Sequence, residues 1–115
     1  AAVVIDGKFY VAGGIAGFDT PVTALDVYDP KTNRWRTLAP MPTGGTAAGA
    51  GLHGKFYVVV CGSTPRTYAY NPVTNKWTTR ANAPSCGFGS VTRVTLNSST
   101  YLFMATGTKS WLYTP

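Results

Sequence analysis

The chain repeats itself, and that periodicity constrains its fold more than any single motif does. Asp6-Gly7-Lys8-Phe9-Tyr10-Val11 returns as His53-Gly54-Lys55-Phe56-Tyr57-Val58, an offset of 47 residues. Tyr28-Asp29-Pro30-Lys31-Thr32-Asn33-Arg34-Trp35 returns as Tyr70-Asn71-Pro72-Val73-Thr74-Asn75-Lys76-Trp77, an offset of 42. Ala39-Pro40-Met41-Pro42 returns as Ala81-Asn82-Ala83-Pro84 at the same offset. The mismatch places an insertion in the first copy, between Val11 and Tyr28. A third copy opens at Tyr101-Leu102-Phe103-Met104 and reaches Tyr113, 43 residues after Tyr70. Repeats of this period are units that cannot bury their apolar faces alone and must stack on neighbours.

Turn residues cut each unit into strand-like runs. The first has Ala2–Ile5, Phe9–Ala12, Ala24–Tyr28 and Trp35–Leu38; the second Ala47–Leu52, Phe56–Val60, Thr67–Tyr70 and Trp77–Arg80. The third has Ser90–Leu96, Tyr101–Ala105 and Ser110–Tyr113. No helical periodicity appears. The midpoint between Tyr28 and Trp35 falls between Lys31 and Thr32, so a hairpin turning there sets the two rings opposite each other on one side of the sheet. Such a cross-strand pair is worth about 0.2–1 kcal/mol, and Tyr70 and Trp77 repeat it. Asp29, Pro30 and Asn33 suit the turn through Asx bonding, a fixed φ and tolerance of the left-handed region. The second strands, Phe9–Ala12 and Phe56–Val60, are apolar on both faces, as strands covered from both sides are. The fourth strands carry Arg34, Arg36, Lys76 and Arg80, charges that protect a sheet edge from pairing with other chains.

Composition narrows the partners. The 115 residues are 44% hydrophobic, too apolar for a disordered chain, and no run reaches the roughly 18 apolar residues of a membrane span. Ten basic residues against four acids give a charge of +6. Only Arg34-Trp35-Arg36 is tightly grouped, so nucleic acid is a weak expectation as partner and a solvated surface the favoured one. The opening at Ala1, already strand-like, reads as a processed or excised segment.

With Gly13-Gly14 ending the second strand, Tyr28, Trp35 and the Pro-rich Ala39-Pro40-Met41-Pro42, the units resemble Kelch repeats, and the likeness covers essentially the whole chain. Departures are Cys61-Gly62 and Thr106-Gly107 in place of the Gly pair, and Thr43 and Ser85 where an Arg usually follows the Pro-rich exit. WD40 units share the period, but their Gly-His and Trp-Asp signatures are absent. The resemblance implies an all-β fold of Kelch-type β-propeller blades, each a four-stranded antiparallel sheet, and here a partial propeller. Blade one spans about 1–42, blade two about 43–84 and an incomplete blade three about 85–115. A closed ring needs about four or more blades, so the expected partners include further blades, from a longer protein or from other copies of the chain. Two copies would supply six blade positions.

Catalysis needs convergent titratable groups. The chain has one His, no Glu and four Asp. His53 and Asp29 read as turn residues and Asp26 as an exposed strand residue, so no catalytic residue, metal ligand or cofactor is assigned. Kelch-like enzymes of the galactose-oxidase or sialic-acid-mutarotase kind stay as the alternative, with the active site outside this chain. The favoured expectation is a non-enzymatic scaffold that binds a protein or glycan through one loop face. In a propeller the loops after the second strand and those leading into the next blade open together. This puts Phe18, Asp19, Arg66, Phe88 and Lys109 on that face as candidate ligand-binding residues. Cys61 and Cys86 come to the same face near the channel, where an inter-blade disulfide and two buried thiols are both open. These cysteines, the sequon Asn97-Ser98-Ser99 and the low charge lean toward an extracytoplasmic home.

Overall fold

The structure, a computed structural model, describes residues 1–16, 20–61, 65–82, 90–105 and 110–114. Among these, every regular element is a strand. The first sheet is built from β1 (Ala2–Ile5) and β2 (Lys8–Ala12). After it a short ribbon, β3 (Ile15–Ala16) with β4 (Thr20–Pro21), is followed by β5 (Leu25–Asp29) and β6 (Arg34–Leu38). The second sheet comprises β7 (Thr46–Leu52), β8 (Lys55–Cys61), β9 (Arg66–Asn71) and β10 (Lys76–Arg80). The third comprises β11 (Ser90–Leu96), β12 (Ser99–Ala105) and β13 (Ser110–Tyr113). The sheet orders are β1-β2-β5-β6, β7-β8-β9-β10 and β11-β12-β13, all antiparallel meanders. Strand ends differ from the sequence expectation by a residue or two. The β3–β4 ribbon was not expected, because two-residue strands are too short to leave an alternating pattern.

Local chemistry explains the turns. Tyr28 pairs with Trp35 and Tyr70 with Trp77, with ring centroids 5.2 and 5.1 Å apart. The turn between each pair is held by an Asx bond: the Lys31 amide donates to Asp29 Oδ1 and the Val73 amide to Asn71 Oδ1, both at 2.9 Å. Asn33 and Asn75 each take φ 55°, the left-handed region that Asn tolerates. The first hairpin of each sheet uses two left-handed residues, the I′ signature: Asp6-Gly7, His53-Gly54 and Asn97-Ser98. His53 is thus a turn residue. Ser98 holds φ 66° where the other two sheets use Gly. Ser98→Gly is therefore expected to add about 0.5–1 kcal/mol of stability, read as a higher urea midpoint at unchanged slope.

The core lies between sheets. Ile5, Tyr10, Leu25 and Val27 of the first sheet, with Met41 from the segment that follows it, meet Phe56, Val58, Tyr68 and Tyr70 on one face of the second. The opposite face of the second sheet, with Leu52, Tyr57, Val59 and Ala69, packs on Leu102, Met104 and Tyr113 of the third. The expectation that second strands are covered on both faces holds for β8, where Phe56 to Val60 are all buried. It fails for β2, because no described residue covers the outer face of the first sheet. The innermost strands β1, β7 and β11 approach one another. Small residues allow it: a Cβ on Gly51 would lie 3.0 Å from Val3 Cγ2. Of the four charges expected at the sheet edge, Arg80 departs: its Nε is buried and has no partner among the described residues.

Each inter-sheet seam also buries tyrosines. Burial pushes the Tyr10, Tyr70 and Tyr113 hydroxyls above the ordinary value of 10.0. Neighbours add to this: Asp6 for Tyr10, Tyr10 for Tyr70, and Tyr57 for Tyr113, with Arg36 and Arg80 opposing. A group that holds its proton more tightly when folded gives stability that is whole below its unfolded pKa and drains as pH rises through the folded one. The share of stability these three hydroxyls carry should be whole up to about pH 10 and drain above it. Read residue by residue in NMR, Tyr10, Tyr70 and Tyr113 should ionise only as β-sheet circular dichroism is lost; their ionisation well ahead of unfolding would contradict the buried seams.

Candidate loop-face binding site

At one end of the first two sheets, the described parts of two segments that sequence reasoning singled out come together, those after β2 and before β7. Gly13 and Gly14 leave β2 with φ 73° and 111°, turning the chain sharply toward the lead-in of the second sheet. There the Gly14 amide donates to the Gly45 carbonyl at 2.8 Å, forming an isolated bridge between adjacent sheets. The loop is closed behind it by Val22 N–H to Gly14 O at 3.0 Å and Gly13 N–H to Ala24 O at 3.1 Å. Met41, buried under Gly13, donates its amide to the Thr23 carbonyl at 2.8 Å. Thr43 Oγ1 and the Tyr68 hydroxyl share a 2.8 Å hydrogen bond. The loop after β2 and the segment leading into β7 therefore form one pinned rim. That is the convergence the propeller expectation required.

Cys61 ends β8 opposite Thr46, and Arg66 opens β9 opposite Val60, so both stand at this same end. Arg66 is exposed. Cys61 is disulfide-bonded. Phe18, Asp19, Cys86, Phe88 and Lys109 fall outside the described residues. Pins such as Thr43–Tyr68 and Met41–Thr23 were not foreseen; the Gly44-Gly45 pair after the Pro-rich exit was the available signal. A Cβ on Gly44 would sit 2.8 Å from the Val22 carbonyl group, so glycine there permits the close approach.

Positive charge gathers elsewhere. Lys8, Arg34 and Arg36 line a depression of about 420 Å³ at the outer edge of the first sheet, together with Asp29 and Trp35. It is confined to one blade and does not continue as a stripe. Among the described residues no three His, Cys, Asp or Glu side chains converge as a metal site would need. No described helix is long and apolar enough to cross a membrane.

Comparison with known proteins agrees with this architecture. Residues 1–42 match the Kelch motif. An F-box/kelch-repeat protein of Arabidopsis thaliana is 41% identical over 66 residues, covering 52% of this chain and 16% of its own. An N-acetylneuraminate epimerase of Yersinia enterocolitica is 47% identical over 55 residues, covering 40% of this chain and 14% of its own. The chain thus spans a small part of the curated relatives it matches. Among solved structures, that of YjhT, a Kelch β-propeller, superposes with a TM-score of 0.63 at 23% identity. The match covers 89% of this chain and 32% of YjhT. The sequence period, the meander order of the sheets and these likenesses converge: residues 1–42 carry a Kelch motif, and the sheets are the blades of a partial β-propeller of Kelch type.

Proposed function

We propose that the chain is a non-enzymatic binding scaffold that receives a protein or glycan on its loop face. The observation that carries this reading is the Gly14–Gly45 bridge. It joins loops of two blades into one rim with fixed backbone, and a rim ordered before its ligand arrives spends less free energy on ordering when it binds. Arg66 stands exposed at that rim as a cation for a carboxylated sugar or acidic side chain. By sequence position Phe18, Asp19, Phe88 and Lys109 join it, with Phe18 as the apolar anchor. An inter-blade disulfide between Cys61 and Cys86 would tie the second lead-in to the same rim.

A second reading follows from the likeness to the Yersinia epimerase: the chain is a segment of a propeller enzyme whose reacting groups lie on other blades. Glycan and acidic-peptide arrays probed with the chain and with Arg66→Ala address the first reading. Binding that falls about tenfold in the variant, the worth of one charge-assisted hydrogen bond, supports it; equal binding by both forms counts against it. Because the second reading puts the reacting groups outside this chain, it is tested on the longer protein it posits: proton NMR of N-acetylneuraminate must show faster exchange between its epimers in that protein's presence.

A further inference from the structure

The seam between the first two sheets opens into a cleft at the end opposite the pinned rim. Across β2, β5 and β6 the register sets Tyr10, Val27 and Arg36 in one row, on the face turned toward the second sheet. Lys8 stands two residues before Tyr10 on the same strand and so shares that face. From the second sheet's side Tyr70 and Asn75 complete the wall. The cleft measures about 620 Å³, within the roughly 300–1,000 Å³ of sites that take small organic molecules. Both walls are built by this chain, so the cleft is whole without a further blade.

The polar groups on these walls do not satisfy one another. Tyr10 is only 6% exposed, yet among the described residues nothing bonds its hydroxyl. Its neighbour differs: Tyr70, with its ring centroid 6.2 Å from that of Tyr10, already donates to Asn75 Oδ1 at 2.7 Å. Lys8 is half-buried and Arg36 exposed. Among the described residues no carboxylate pairs with either, although Asp6 lines the same cleft and Asp29 the adjoining depression. Burial and then Asp6 hold the proton on Tyr10 while Arg36 opposes them, so both charges stand within electrostatic reach of that hydroxyl. The second seam is not built this way. The repeat carries Lys8 to Lys55 and Tyr10 to Tyr57, but Arg36 to Thr78 and Asp6 to His53.

We propose that this cleft is a binding site for a small organic monocarboxylate with an apolar body, separate from the loop face. Arg36 takes the carboxylate through the paired N–H groups of its guanidinium, the fork that matches two oxygens at once. Tyr10 OH donates to one of those oxygens, and Lys8 adds a second cation. Leu38 and Pro72, on the cleft wall, flank the apolar body. Charge selects the class. Lys8 and Arg36 against Asp6 leave a single positive charge, which one carboxylate balances. A phosphate dianion would bring a surplus negative charge up to Asp6.

The test titrates the full chain with benzoate and, in a parallel arm, with inorganic phosphate, following the Arg36 Nε proton and the Tyr10 ring by NMR. Benzoate is expected to saturate both signals in the millimolar range and to bind more tightly than phosphate. Arg36→Gln, followed at the Tyr10 ring, should weaken benzoate about tenfold, the worth of one charge-assisted hydrogen bond. Tyr10→Phe, followed at Arg36, should weaken it about fivefold, the worth of an ordinary one. Arg36 is exposed, so its replacement leaves the core intact, and Phe keeps the ring of Tyr10 in the seam. Lys55→Gln removes the same unit of net charge from the next blade and should leave the affinity unchanged. Three results overturn the proposal. Shifts that never saturate mean that no site exists. Equal weakening by Arg36→Gln and Lys55→Gln means general attraction to a chain of charge +6. Phosphate binding more tightly than benzoate means that the cleft does not select a carboxylate.

Discussion

Trp77→Ala is expected to lower the unfolding free energy by about 3–5 kcal/mol, and Trp35→Ala by about 1 kcal/mol or less. The two residues occupy the same place in consecutive repeats, and each pairs with a tyrosine across the strand. What separates them is the neighbour. Trp77 lies in the seam between blades, its ring tilted against Tyr70 at 5.1 Å and meeting Tyr68 edge-on at 6.4 Å. Its indole binds Ala39 of the other blade. Truncation there opens a gap in the seam and leaves the part-buried Ala39 carbonyl without its donor, which alone costs about 1 kcal/mol. Trp35 gives up a ring that is mostly in water already. Urea unfolding of both variants in one buffer reads the difference directly. Equal costs would mean that the seam is not where stability resides. In a chain carrying a further blade ahead of Ala1, the gap should close, since Trp35 would then occupy a seam of its own.

That asymmetry also marks what sequence could and could not reveal. The pairing of Tyr28 with Trp35 was legible because a hairpin fixes which residues face each other. Asp29 and Asn33 were legible as turn formers because their chemistry is local. Burial is not local. Nothing in Tyr28-Asp29-Pro30 against Tyr70-Asn71-Pro72 says that the first copy faces solvent and the second a neighbour. Nor does the turn role of Asn75 announce that its Oδ1 also reaches residue 39 of another blade. The rim was legible in position only: Arg66 and Cys61 stand at one end of the second sheet, as strand order implies. Its pins were not, because Thr43 and Tyr68, or Met41 and Thr23, are joined by close approach between segments with no shared pattern.

Gly13→Ala is expected to cost about 2–5 kcal/mol, from two separable sources. The first is conformational: at φ 73° a Cβ meets its own backbone, which costs about 1–2 kcal/mol. The second is crowding. The added methyl would sit 3.0 Å from Met41 Cε, 3.1 Å from Ala47 Cβ and 3.1 Å from the Gly45 carbonyl, and such overpacking typically costs about 1–3 kcal/mol. Gly7→Ala isolates the first source, because Gly7 has φ 72° and nothing within 4 Å of its would-be Cβ. It should therefore cost only about 1–2 kcal/mol. The difference between the two variants, read from urea midpoints, measures the crowding under the rim. Met41 can give way at its flexible end, but the Gly45 carbonyl cannot move without loosening the Gly14 bridge that joins the two blades. Gly13→Ala should thus weaken binding at the loop face as well as stability, while Gly7→Ala, at the opposite end of the sheet, should leave binding untouched.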